Sequence, residues 1–109
     1  MEVLYKNKKL REICERESIA YQKLGADSAH KLKVRLSALW AATCVTDLIA
    51  GNPHPLKGDK AGQFSLDLAR GCRLVFAPAH ESQPTCADGG IDWSRVSIVS
   101  IEFIGDYHE

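Results

Sequence analysis

Along the first forty residues the apolar positions recur at intervals of three and four, and from residue 63 onward at intervals of two. The first spacing is that of a helix with one buried face and the second that of a strand with one buried face. Val3-Leu4-Tyr5 reads as a short opening strand. Over residues 7–22, Leu10, Ile13, Cys14, Glu17 and Tyr21 share one side and charge crowds the other, which predicts an amphipathic helix. Gly25 breaks the pattern, and Asp27 or Ser28 can cap a second helix by accepting a backbone N–H. In that helix Leu32, Leu36, Leu39 and Trp40 form the apolar stripe, predicting a buried Trp40, while Lys31, Lys33 and Arg35 point away. Thr46-Asp47-Leu48-Ile49 predicts a short helical turn closed by Gly51-Asn52-Pro53. Pro53 and Pro55 then hold His54 in extended backbone, because each proline disfavours the helical region for its predecessor.

In the period-two region Phe64, Leu66 and Leu68 take one face, and Gln63, Ser65 and Asp67 the other. Arg70-Gly71 marks a hairpin turn into residues 72–77. There Cys72, Leu74 and Phe76 alternate with Arg73 and Val75, so Arg73 is expected on the open face of a sheet. Residues 78–93, with two prolines and Gly89-Gly90, predict a loop or protruding hairpin in which Trp93 anchors the loop to the sheet. From Ser94 to Ile104 strand character returns, with Val99, Ile101 and Phe103 expected on one side and Ile98, Ser100, Glu102 and Ile104 on the other. The whole predicts an α+β fold: two antiparallel N-terminal helices on one face of a small antiparallel sheet, in a single domain spanning residues 1–109 with 78–93 as an insertion.

The length of 109 residues at 45% hydrophobic content suits one core. There is no apolar run of the ~18 residues a membrane helix needs, and residues 1–6 lack the apolar block of a signal peptide, so a cytoplasmic protein without a membrane role is expected. Cys14, Cys44, Cys72 and Cys86 are widely spaced and form no C-x-x-C pair. That argues against a zinc site or any other metal, and in a reducing cytosol no disulfide is expected. Cys14 and Cys44 fall on apolar helix positions and Cys72 on an apolar strand face, which predicts buried thiols; Cys86 lies in the loop. Net charge is zero but unevenly spread: residues 1–50 carry nine Lys or Arg against six Asp or Glu, residues 51–109 five against eight. A nucleic-acid binder usually carries a larger positive excess, since phosphate neutralisation supplies much of its affinity.

Two polar clusters hold candidate chemistry: His54-Pro55-Leu56-Lys57-Gly58-Asp59 and Gly105-Asp106-Tyr107-His108. Cleavage of RNA by its own 2′-hydroxyl needs a base, an acid and fixed positive charge at the crowded phosphate. Two histidines, a lysine and a tyrosine can fill these roles, the tyrosine also offering a face to an unpaired base. Each residue has a plainer reading: Lys57 before Gly-Asp is ordinary turn chemistry, Tyr107 and His108 lie where chain ends fray, and Arg73 can be a salt bridge to Asp67 or Glu102. His30 and His80 read as inert surface.

The order Pro55-Leu56-Lys57-Gly58-Asp59, alternating strand 63–68, Arg73-bearing strand 72–76 and terminal Asp106-Tyr107-His108 resembles the HigB branch of the RelE/ParE toxin superfamily. The resemblance spans roughly residues 3–108 and is most specific at 54–76 and 101–108. It implies a type II toxin that cuts messenger RNA on the ribosome without a cofactor, held inactive by a small helix-turn-helix antitoxin. His54, Lys57, Arg73, Tyr107 and His108 would be catalytic, with Gln63 and Ser65 contacting RNA. His108 would be the base and His54 the acid, or the reverse. The ParE side of the superfamily poisons a protein target by contact instead, and a relative that only pairs with its antitoxin is a third reading.

Overall fold

The computed structural model describes residues 1–106; Tyr107 and His108, both expected in the site, lie outside the described residues. Strand β1 (Glu2–Tyr5) leads into helices α1 (Lys8–Glu15), α2 (Glu17–Leu24) and α3 (Ala26–Ala41), followed by strands β2 (His54–Pro55), β3 (Phe64–Asp67), β4 (Arg73–Pro78) and β5 (Ile98–Gly105). The strands form one sheet in the order β1-β5-β4-β3-β2. β1 runs parallel to β5 and the other neighbours are antiparallel, so the sheet is mixed, with β1 and β2 at its edges.

The expected α+β architecture is thus the observed one, with an extra division in the helical layer. The predicted helix over 7–22 is two helices that meet at Arg16, whose extended backbone (φ −119°, ψ 108°) ends α1 and starts α2. Asn7 caps α1 by accepting from the Leu10 amide at 3.0 Å, and α1 buries Leu10. A straight continuation would have buried Glu17 and Tyr21. The break instead turns Ala20 inward and leaves Tyr21 exposed. α3 starts after Gly25 (φ 83°) with no side-chain cap. Ser28, expected as a possible cap, is buried in the helix and bridges to the β3–β4 turn, its hydroxyl accepting from the Ala69 amide and donating to the Ala69 carbonyl, each at 3.2 Å.

One core joins the helices to the sheet. Leu10, Ala29, Leu32, Leu36 and Leu39 pack against Phe64, Leu66, Leu74, Phe76, Val99 and Ile101. Each of these side chains larger than alanine contributes roughly 1.5–3 kcal/mol of burial free energy, so this face fixes strand register. Trp40 departs from expectation and is 53% exposed: it sits at the margin of the α3 stripe, where the preceding Leu39 takes the buried position of the last turn. Cys44, expected on a helix, lies in the extended residue before the short 3-10 turn Val45–Asp47.

Candidate functional site on the second face of the sheet

Residues directly opposite one another on neighbouring strands point to the same face, so register alone assembles the face away from the helices. His54 pairs with Ser65, Ser65 with Val75, and Val75 with Phe103, giving one row across four strands. The next row is Asp67, Arg73 and Gly105. Lys57 follows β2 in the opposite direction, near Gln63. His54 therefore lies between two basic residues along the strand direction. Lys57 and Arg73 stand at least about 13 Å apart at the backbone, four residues of strand rise.

His54 occupies the extended backbone predicted for it, in a two-residue edge strand. Proline fits there because an edge leaves its missing N–H without consequence. Its Nδ1 lies 2.7 Å from the Asn52 carbonyl. A carbonyl can only accept, so Nδ1 carries hydrogen and Nε2 is the atom left for proton transfer. The loop is held from behind: Asp67 N–H donates to the Gly51 carbonyl at 2.7 Å, and Arg35 Nε of α3 donates to the Asp67 carbonyl at 3.0 Å. Gly51 (φ 88°) and Asn52 (φ 50°) make the left-handed turn that delivers His54 to the sheet.

Arg73 is on the expected face and also makes the salt bridge anticipated as its plainer role, Nη1 to Asp67 Oδ1 at 2.8 Å. The Arg73 side chain is 20% exposed, so the guanidinium is presented with a counter-ion already in place. Lys57 is exposed at the start of the turn Gly58–Lys60. Gln63 is half-buried, its carbonyl accepting from the Leu56 amide at 2.8 Å.

Ser65 requires a correction. It is on the expected face but fully buried, so it does not offer its hydroxyl to a ligand at the surface. Its Oγ has no hydrogen-bond partner among the described residues. Alternation assigns a residue to a face and says nothing of what covers that face; Val75 beside it is buried too.

The pattern missed Phe103. A register shift pairs Phe76 with Ile101 but Val75 with Phe103, leaving Glu102 as the extra residue of a bulge. Beyond it Ile104 turns to the core and Phe103 to the second face, the reverse of the expected sides. No glycine or proline at 101–104 marks the bulge. His80 is not inert: its Nε2 accepts from the Ser97 and Ile98 amides at 3.0 and 3.2 Å, pinning the entry to β5.

The 78–93 segment folds back through a Thr85–Ile91 bridge, and Trp93 packs edge-on against Phe64 at 4.8 Å, the anchoring role expected of it. Hydrogen bonds from Ser94 and Arg95 hold the Asp92 carboxyl below its ordinary value. Burial pushes the Cys14 thiol up to about 12 and raises Cys72. Among the described residues no three His, Cys, Asp or Glu side chains come together to hold a metal ion, and no helix is long and apolar enough to cross a membrane.

The same fold occurs in a solved structure described as a YoeB/ParE toxin from Agrobacterium tumefaciens, with a TM-score of 0.61 over 99% of this chain and 100% of that chain, at 15% identity. No protein-family model matches the sequence, and no curated relative does. The chain therefore shares the fold of that YoeB/ParE toxin.

Proposed function

We propose that the chain is the toxin of a type II toxin-antitoxin pair and a HigB-like endoribonuclease that cuts ribosome-bound messenger RNA in the cytoplasm by 2′-hydroxyl attack. The observation that carries this reading is the second face of the sheet, where His54, its tautomer set by the Asn52 carbonyl, lies between Lys57 and Arg73. β5 ends beside the first residue of β4, with Gly105 opposite Arg73.

In this mechanism a protonated His54 gives a proton from Nε2 to the leaving 5′-oxygen, while Nδ1–H donates to the Asn52 carbonyl and keeps the ring oriented. His108 takes the 2′-hydroxyl proton, Lys57 and Arg73 stabilise the phosphorane, and Tyr107 orients or stacks a base. Exchange of the two histidine roles gives the same chemistry. Gln63 contacts RNA at the Lys57 end. No cofactor enters these steps, and a helix-turn-helix antitoxin holds the toxin inactive.

A second reading, a module acting by protein contact, is favoured by one observation: Leu4 and Trp40 are 42% and 53% exposed beside β1, with a cleft between β1 and α1. Induced expression with mapping of messenger RNA ends separates the two. Endoribonuclease action predicts discrete cuts and growth arrest, both lost in His54→Ala, since a proton-transfer group is worth ~10²–10⁴-fold in rate. Arrest without cuts, or full arrest by folded His54→Ala, refutes the catalytic reading.

A further inference from the structure

The bulge in β5 has a consequence for substrate binding. Continued alternation from Val99 and Ile101 would place Phe103 against the helices; the extra residue Glu102 sends it to the second face opposite Val75, where it is 37% exposed. Bulges recur beside active sites because they re-aim a side chain. The neighbouring glycine accommodates the result. A Cβ at Gly105 would stand 3.3 Å from Phe103 Cζ and 3.7 Å from Cε2, so the ring lies over a position that a larger residue would occupy. Gly105 is in turn the direct partner of Arg73. An aromatic ring in the His54 row and a guanidinium-bearing residue in the next row thus share this face, with Gly105 between them.

We propose that Phe103 is a stacking platform for an unpaired nucleobase of the RNA, with the adjoining phosphate on the Arg73 side. The inference rests on the endoribonuclease reading and adds a binding residue to it. A partly exposed ring with a cation in the neighbouring row matches the way single-stranded nucleic acid is held without a sequence code: the base stacks on the ring and the backbone meets the charge. It also addresses the charge balance. The chain carries no net positive charge, and Asp67 partly neutralises Arg73. Counterion release therefore supplies little affinity, and stacking, insensitive to net charge, supplies more.

The test uses ribosomes programmed with a messenger carrying 2-aminopurine at one codon base at a time, the nucleotide that would attack being 2′-deoxy so that no cut occurs. Wild type and Phe103→Tyr are expected to change the fluorescence of one base. Phe103→Leu, which keeps an apolar side chain, is expected to lose that signal and bind about 5- to 150-fold more weakly. Phe103→Trp provides a direct readout, since a stacked base quenches the new indole, and thermal unfolding of each variant checks the fold. Equal binding by Phe103→Leu with an unchanged signal and no indole quenching overturns the platform and leaves the endoribonuclease reading standing. So does a loss confined to antitoxin capture, which would assign the ring to a protein contact. Failure of wild type both to bind programmed ribosomes and to cut RNA overturns the two together.

Discussion

Ser65→Ala should stabilise this protein, an unusual outcome for a substitution at a fully buried position. The Ser65 hydroxyl has left water without acquiring a partner among the described residues, and an unsatisfied buried hydroxyl costs about 1–3 kcal/mol. Removing the oxygen forfeits a handful of dispersion contacts at ~0.1–0.2 kcal/mol each, well under the penalty relieved. The net gain is therefore about 1 kcal/mol. In a domain of roughly 100 residues that raises Tm by about 4–8 °C. Urea unfolding, with an unchanged m-value and a higher midpoint, measures the same quantity. The hydroxyl lies opposite His54, so a stability gain accompanied by weaker growth arrest would identify an orphan group kept at the site for function. Destabilisation by 1 kcal/mol or more would refute the reasoning, because it would mean that the hydroxyl makes a favourable bond in solution, to water or to another group.

His80→Ala should cost about 1–2 kcal/mol by leaving the Ser97 and Ile98 amides without their acceptor, and His80→Gln, which offers a carbonyl oxygen, should recover part of it; urea midpoints check both. Burial holds the Cys14 thiol at about 12, against about 8.5–9 in an unfolded chain. The folded state then keeps a proton the unfolded state releases, so stability is full below about pH 9 and falls as pH rises toward 12. Cys14→Ala should make that alkaline slope shallower, measured as Tm against pH, and an unchanged slope would contradict the assignment. In native protein at neutral pH a thiol reagent should modify exposed Cys86 first and Cys14 last, resolved by mass spectrometry of the labelled peptides.

The fold was legible wherever a face is buried along its whole length. Phe64, Leu66 and Leu68 alternate cleanly because the helices cover every second residue of β3, and Leu32, Leu36 and Leu39 keep helical spacing because α3 lies on the sheet over most of its length. Legibility failed where geometry changes without a marker residue. At Arg16 the chain bends between two helices of similar composition, with no glycine or proline to announce it. At Glu102 a single extra residue inverts the sides of Phe103 and Ile104, and both sides carry apolar residues, so the pattern looks the same either way. Trp40 shows the limit of the stripe argument itself: spacing groups it with Leu32, Leu36 and Leu39, but the last turn buries Leu39 and leaves Trp40, one position round the helix, at the margin of the covered face.

The candidate site was legible as residue types and not as an arrangement, because its positioning is long-range. His54 and Arg73 are nineteen residues apart in sequence, and Asp67 connects them in two ways. Its backbone N–H holds the Gly51 carbonyl of the loop that delivers His54, while its carboxylate holds the Arg73 guanidinium. Arg35 reaches from α3 to the Asp67 carbonyl and ties the pair to the helical layer. An acidic residue on a face proposed for RNA looks at first like a misplaced charge. Its contacts argue otherwise: a lone guanidinium that is four-fifths buried would be costly, and Asp67 offsets that cost while fixing the edge strand that carries the histidine. The same pairing lowers the net charge available to phosphate, which explains in physical terms why a face of this composition would depend on an aromatic neighbour to hold an RNA base.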